Sequence, residues 1–458
     1  MVEKNVLITA AGLKNVILTV IMKPLLYLTL LLALDGHAQT NPALTAFKKH
    51  AETRNAGKHP GAAPVPSIYN GNGIDYLKPL SGLYANKAAL LKQYGSGYYD
   101  HLSQVLSFCG DFKSVLESLH QEYGPPDTAT IRLIKKDIAG LPGGAMLKNA
   151  HTVIIEKAAN YTVVMINEAH CKPLHRAFTN SLLDDFYRLG FRYLAMETLS
   201  GTKGSTLNRL TMQTGYYTCE PVFGELVRKA LLLGFKLVPY EDTTLTGHSP
   251  MQRDSIQARN IYRILQRDPA AKILVHAGYG HIAKKIFDPL FVPMAYQFKA
   301  MSHIDPLCID QTVMTEGGND LYSESYYTLF LNNWHPGRPS VLMQNNKPVG
   351  LLNNDGKYDI IVIHPPSTYY KGRPGWYSLY GEKIPVVVKR TGKKVFLVQA
   401  YYAREWRQGA AGSLIPADQS YILVNHSYYS LHLKKGTYRV VFRDMNYKVL
   451  GTRITVVR

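Results

Sequence analysis

The sequence predicts an α/β protein: a mostly parallel sheet flanked by helices, preceded by a helical N-terminal extension and followed by a β-sandwich-like C-terminal domain. Three patterns carry this reading. From Tyr161 short apolar runs alternate with amphipathic segments, the rhythm of βαβ units. Between Tyr76 and Tyr123 apolar residues recur at three and four, as in packed helices. Beyond Trp376 helical spacing gives way to strand-like alternation.

Taken in order, residues 1–38 have the layout of a secretory signal. Lys14 and Lys23 precede an apolar run from Leu25 to Leu34, and Gly36-His37-Ala38 then supplies small residues for cleavage before Gln39. The run is shorter than the roughly 20 residues a membrane span needs. Met22 is an alternative start, and export to the periplasm or cell exterior is expected. Residues 39–67, rich in Ala, Pro, Gly, Asn and Lys, read as a flexible linker. Residues 68–375 read as the α/β domain, with Leu90, Leu91, Tyr94, Tyr98, Leu102, Val105 and Leu106 marking its N-terminal helices. Candidate strands are Thr162–Ile166, Tyr193–Met196, Lys236–Tyr240, Lys272–His276 and, later, Tyr358–His364; the spacing predicts a helix over Leu174–Leu189. Residues 376–458 read as a separate β-rich domain, with strands at Val386–Val388, Val395–Tyr401, Ser420–Val424, Gly436–Phe442 and Gly451–Val457.

Composition narrows the function. The formal charge of +19 concentrates late, with 16 Lys plus Arg against 4 Asp plus Glu from Tyr370 onward. None of the common nucleic-acid reading motifs accompanies it, so no nucleic-acid partner is expected. Solvated strand faces or a polyanion or envelope-surface contact account for the basic C-terminal region. Cys109, Cys171, Cys219 and Cys308 match no thiolate metal cage, and their spacing selects no disulfide pairing.

The informative signal is a repeated position. The strands end in Asn167-Glu168-Ala169-His170, in Glu197, in Glu241-Asp242, and in His276-Ala277-Gly278-Tyr279-Gly280-His281. In an open parallel sheet the carboxyl ends converge on one crevice, so these side chains can share a site. A histidine oriented by a carboxylate removes a proton from water near neutral pH, and Glu168 or Glu197 can orient His170. Alternatively Glu168, His170 and His281 hold a divalent metal whose bound water is the nucleophile. Gly278 and Gly280 imply a turn whose N–H groups can face an oxyanion. His276 either satisfies a backbone carbonyl or faces the crevice. The helix Arg253–Gln266 carries Arg253, Gln257 and Asn260 on one face, with Asp254 in its first turn, where it can face the crevice or serve the helix dipole. The expected catalytic set is Glu168, His170, Glu197, Arg253 and His281, with His175, Arg176, Glu241, Asp254 and His276 assigned to substrate binding.

The stretch from Val163 to His281 resembles the superfamily of erythromycin esterases, ChaN-type haem-binding proteins and TraB/Tiki proteases. Asn167-Glu168-Ala169-His170 is similar to its Gly-Glu-x-His element, Arg253-Asp254-x-x-x-Ala258-x-Asn260 to the esterase Arg-Asp-x-x-Met-Ala-x-Asn element, and Gly278-Tyr279-Gly280-His281 to its Gly-x-x-His. Glu197 falls where these families place a strand-end glutamate. The resemblance implies His170 as general base, Glu168 and Glu197 as its charged partners, and His281 with Arg253 facing substrate or metal. Two departures are Asn167 for the usual glycine and Gln257 for methionine. A hydrolase acting on an ester or peptide bond of a small-molecule or peptide substrate is expected, with a haem- or metal-binding protein without turnover, or a surface-attachment protein, as alternatives.

Overall fold

Six strands that run the same way build the frame of the protein, seen here in a computed structural model. It describes residues 42–55, 67–71, 73–197, 199–201, 207–241, 250–389, 392, 394–408, 411–421 and 428–458. The expected signal segment lies outside the described residues. Among those described, no helix is long and apolar enough to cross a membrane.

The strands are β1 (Val163–Glu168), β2 (Phe191–Met196), β3 (Lys236–Pro239), β4 (Lys272–Gly278), β5 (Leu307–Asp310) and β6 (Ile360–Ile361). They lie side by side as β6-β5-β1-β4-β2-β3, every pair parallel. Helices α6 (Pro173–Arg188) and α7 (Pro221–Leu233) cover one face, and α8 (Pro250–Arg267) and α9 (Met294–Ser302) the other. The period-2 alternation of a strand shows in the packing. Val164 and Ile166 join the core under α6 and α7, whereas Val163 and Met165 join the core under α8 and α9. With both faces covered, these strands carry near-continuous apolar runs, which is why they are legible in the sequence. Strand β5 is the one missed: Leu307-Cys308-Ile309-Asp310 is too short for periodicity to separate it from a loop.

Four helices, α2 (Leu77–Ala85), α3 (Lys87–Tyr94), α4 (Gly97–Phe108) and α5 (Phe112–Tyr123), form the helical N-terminal layer. The expected linker is corrected in part. Residues Pro42–Asn55 form helix α1, whose Leu44, Phe47 and Ala51 are buried in the main core. Their spacing of three and four is helical, but the surrounding Ala, Asn and Lys composition conceals it.

The C-terminal region is antiparallel. Strand β7 (Ile384–Lys389) pairs with β10 (Tyr428–Leu433), and β8 (Leu397–Tyr402), β9 (Asp418–Tyr421), β11 (Gly436–Arg443) and β12 (Val449–Val457) form a sheet in the order β9-β8-β11-β12. The expectation of a separate domain beyond residue 375 is corrected, because one core runs across that boundary. Phe47 stacks on Phe396 with ring centroids 5.0 Å apart, and Arg228 of α7 forks onto Glu405 with two bonds of 2.8 Å. Tyr402 donates to Glu225 at 3.1 Å, and Tyr421 donates to the buried Asp111 of the helical layer. Arg373 and Asp418, both fully buried, pair across the same seam. All four cysteines are buried and unpaired.

Two outcomes follow from this shared core. Residues 376–458 expressed alone are expected to lack a cooperative thermal transition by circular dichroism, since their inner face would lie bare. Phe47→Ala is expected to cost about 3–5 kcal/mol in urea denaturation of the whole chain, the usual loss for a deleted buried ring.

Candidate active site

Register alone brings the key residues together. Glu168 pairs with Gly278 across β1 and β4, and Met196 pairs with His276 across β2 and β4, so β4 sits between the two glutamates. The N–H of Glu197 continues this ladder by donating to the carbonyl of His276 at 2.9 Å.

Glu168 is the hub. Its Oε1 accepts from His170 Nδ1 at 3.0 Å and from Arg176 Nη2 at 2.8 Å; its Oε2 accepts from Arg176 Nε at 2.6 Å and from His276 Nε2 at 2.9 Å. Burial pushes its pKa up, but the charge of Arg176 and the hydrogen bonds from Arg176, His170 and His276 outweigh that and hold it well below the usual carboxylate range. An ionised carboxylate only accepts, so His170 donates through Nδ1 and presents a bare lone pair at Nε2 in its neutral form. The imidazole is clamped between rings: Tyr217 stacks on it at 4.1 Å, and Tyr279 meets it edge-on at 5.1 Å.

Across Gly278 lies a second group. Glu197 accepts from the Gly278 N–H through Oε2 and from Arg253 Nη2 at 2.9 Å through Oε1. Burial raises its pKa, yet the charges of His170, His281 and Arg253 lower it to about 2. Arg253 also reaches Glu241, with Nη2 at 2.7 Å, and Gln257 donates to the same carboxylate at 3.0 Å. Asn260 anchors the strand end by donating to the Tyr240 carbonyl at 3.0 Å. Gln257, which departs from the resembled motif, thus positions Glu241.

The last pair is His281 with Asp254. His281 Nδ1 lies 2.8 Å from Asp254 Oδ2, which also accepts the Met294 N–H at 2.8 Å. Burial lowers the His281 pKa, but the Asp254 hydrogen bond and the charges of Glu197 and Asp254 raise it above the ordinary imidazole value. Its Nε2 stands 3.3 Å from Arg253 Nη1. Since a guanidinium only donates, this contact needs the neutral ring. The charge of Arg253 lowers the proton affinity of His281, but the effects of Asp254 and Glu197 outweigh it.

Several assignments are corrected by burial. Arg176, at 0% exposure, is the counter-ion of Glu168 and Glu220 and donates to the His170 carbonyl at 2.8 Å; a substrate does not reach it. His276 is likewise buried and satisfies the Glu168 carboxylate, not a backbone carbonyl and not a substrate. His175 is buried with Nδ1 accepting the Ala169 N–H at 2.9 Å, and burial holds its pKa well below the ordinary value. Asp254 is buried against His281 and Met294, so it acts through the imidazole. The Gly278 N–H is taken by Glu197 and does not face an oxyanion. The metal assignment also fails on the donors present. Glu168 spends four acceptor sites on Arg176, His170 and His276, and no three His, Cys, Asp or Glu side chains among the described residues converge as a metal-holding group. Glu168, His170, Glu197, Arg253, Glu241 and His281 do meet at one edge.

Three contributors were not foreseen. Tyr217 and Tyr279 lie in segments with no periodic signal. Glu220 stands immediately before Pro221, and an acid preceding a helix-starting proline is an N-cap signature; it accepts the Val222 and Phe223 N–H groups at 2.8 Å each. Asn167 also gains a role. It donates to the Tyr279 carbonyl at 2.9 Å and to Asp310 at 2.6 Å, and accepts the Gln311 N–H at 2.8 Å. These bonds hold Tyr279 at φ +41°, a left-handed conformation that a bulky residue adopts only when its surroundings impose it.

No family model and no curated protein matches the chain. Among solved structures, the crystal structure of RRSP, a MARTX toxin effector domain from Vibrio vulnificus CMCP6, matches 45% of this chain and 41% of that one, with 14% identity and a TM-score of 0.22. The chain thus spans less than half the length of that structure, and a likeness of this degree carries no argument.

Glycine at 278 is required by the site. A Cβ there would lie 2.5 Å from His170 Cε1, 2.7 Å from His170 Nε2 and 2.8 Å from Glu197 Oε2. Gly278→Ala is expected to push His170 off Tyr217, read as a downfield shift of its Cε1–H resonance as ring shielding is lost, with the global fold kept. The Glu197 carboxylate sets a pH signature. Its folded pKa is below the unfolded value of roughly 4.3, so its stabilisation is present above that value and is lost as the pH falls from about 5 toward 2. Glu197→Gln is expected to flatten the fall in urea stability across that window.

Proposed function

We propose that the chain is an exported hydrolase that cleaves an ester or peptide bond by general-base catalysis at His170. The observation that carries this reading is the Glu168–His170 pair: a buried, ionised carboxylate on Nδ1, with Nε2 left as a lone pair beside Glu197 and Gly278. The resemblance to erythromycin-esterase, ChaN and Tiki sequences adds to it, and export rests on the N-terminal segment alone.

In this mechanism Nε2 of His170 takes a proton from water as the water oxygen adds to the substrate carbonyl. Glu168 steadies the imidazolium that forms. Arg253, which is 31% exposed at its side chain and held by Glu197 and Glu241, stabilises the oxyanion. His281, whose proton affinity is raised by Asp254 and Glu197, supplies a second charged imidazole near the leaving group. Collapse breaks the bond to the leaving alkoxide or amine, which receives the proton from His170, and the water oxygen ends in the carboxylic acid.

A panel of generic esters and peptides supplies the test. His170→Ala is expected to lose about 10²–10⁴-fold in kcat, the usual contribution of a general base. Glu168→Gln is expected to lose a comparable amount and His276→Ala less, because His276 acts only by positioning Glu168. Full activity in a folded His170→Ala protein would refute the assignment, and an intense Soret band in the purified protein would favour haem binding instead.

A further inference from the structure

Strand β5 ends at the same edge of the sheet as Glu168, yet no group of the proposed mechanism lies on it. Ile309 pairs with Ile166, so Asp310 and Asn167 stand side by side at the ends of β5 and β1. Asp310 is fully buried, and burying a carboxyl group is costly unless its oxygens are bonded. Oδ1 accepts from Asn167 Nδ2 at 2.6 Å and from Thr312 Oγ1 at 2.8 Å, and Oδ2 accepts the Val313 N–H at 3.3 Å. The shortest of these bonds is the one toward the site. Gln311 meets the other end of the same amide, its N–H donating to Asn167 Oδ1 at 2.8 Å. The amide is thereby held one way round, because a flipped group would set its NH2 against the Gln311 N–H and its oxygen against Asp310. With one amide hydrogen on Asp310, the other is left for the Tyr279 carbonyl at 2.9 Å. Tyr279 is the residue held at φ +41°, and its ring meets the His170 imidazole edge-on at 5.1 Å. A buried carboxyl group on β5 is thus joined to the imidazole through two residues.

We infer that Asp310 is a positioning residue for His170, acting through Asn167 and Tyr279. The inference goes beyond the hydrolytic reading and rests on it only for the effect on turnover. Without Asp310 the Asn167 amide loses the acceptor that pins one of its hydrogens, and its hold on the Tyr279 carbonyl slackens. Tyr279 then relaxes toward negative φ, where a bulky residue is unstrained, and its ring leaves the edge of His170. Tyr217 still covers one face of the imidazole. The base is kept, but its Nε2 is no longer aimed at the point beside Gly278 that it shares with Glu197.

Ring position and turnover are measured separately in the full chain. The His170 Cε1–H resonance is followed in protein carrying isotope-labelled histidine and is assigned by its loss in His170→Gln. Asp310→Ala is expected to displace it, Asn167→Ala to displace it similarly, and the two together to displace it no further than Asn167→Ala alone. Asp310→Asn, which keeps an oxygen for Asn167 and Thr312, is expected to restore the wild-type resonance. Asp359→Ala is the control: it frees the Cys308 N–H of the same strand, bonded at 2.8 Å, and is expected to lower stability with the His170 resonance unmoved. On any ester or peptide turned over, Asp310→Ala should lose on the order of 10- to 100-fold in kcat with KM kept, as a misplaced catalytic group does, and Asp310→Asn should recover most of it. An unmoved resonance in Asp310→Ala, additive displacements in the double variant, or an equal displacement by Asp359→Ala overturns the inference. If Asp310→Ala does not fold, an unmoved resonance in Asn167→Ala overturns it instead. Turnover that Asp310→Ala keeps in full also overturns it and leaves the hydrolytic reading intact. The expected displacements with no ester or peptide turned over support the positioning role and sink the hydrolytic reading.

Discussion

The site depends on one ion pair that water does not reach. Arg176 and Glu168 are buried together, joined by bonds of 2.6 and 2.8 Å, and each meets its remaining demands inside the protein. Desolvating two charges is costly, and removing one partner of such a pair costs on the order of 3–5 kcal/mol because the other is left unpaired. This interaction does more than stabilise. With Arg176 and His276 filling its other acceptor positions, Glu168 has one direction left for His170, so the tautomer and the ring plane are both fixed. Arg176 in turn holds the His170 carbonyl and shares its charge with Glu220 at 3.2 Å, tying β1, the start of α6 and the cap of α7 into one unit.

Strand order then decides which groups can cooperate. Strand β4 lies between β1 and β2, so the chain after it passes between Glu168 and Glu197. Only a residue without a side chain fits at that crossing, and glycine at 278 leaves room for His170 and Glu197 to approach the same point. The strained Tyr279 follows at once, and Asn167 of the neighbouring strand holds its carbonyl. The turn that ends β4 is therefore held by β1, and His281 follows it, bonded to Asp254.

How much of this was legible in the sequence depends on what burial adds. Strands β1 to β4 are visible because two covered faces demand continuous apolar runs, and their ends could be lined up because a parallel sheet puts every carboxyl end on one side. The parts that were misread share a cause. Arg176 and His175 lie in the first turn of α6, and sequence spacing does not say whether a first-turn side chain points into the crevice or beneath the strand end. Arg176 was read as substrate-facing for want of that information, and His276, on a strand buried on both faces, was open for the same reason. Helix α1 was hidden by composition although Leu44, Phe47 and Ala51 keep helical spacing. The boundary at residue 375 is a true change of local structure but not of packing, because periodicity reports the element and not the partner it covers.

The two histidines of the site are dressed alike and yet are placed to behave differently. Each has Nδ1 on a buried carboxylate, Glu168 for His170 and Asp254 for His281. Glu168 also carries two bonds from Arg176 and one from His276. Asp254 accepts the Met294 N–H besides facing His281, and among the described residues its other oxygen is buried without a hydrogen-bond partner. The Asp254 hydrogen bond and the charges of Glu197 and Asp254 together raise the proton affinity of His281. The Arg253 guanidinium, 3.3 Å from Nε2, opposes that rise without cancelling it. Arg253 links the two halves of the site, because it is bonded to Glu197 and Glu241 and stands beside His281.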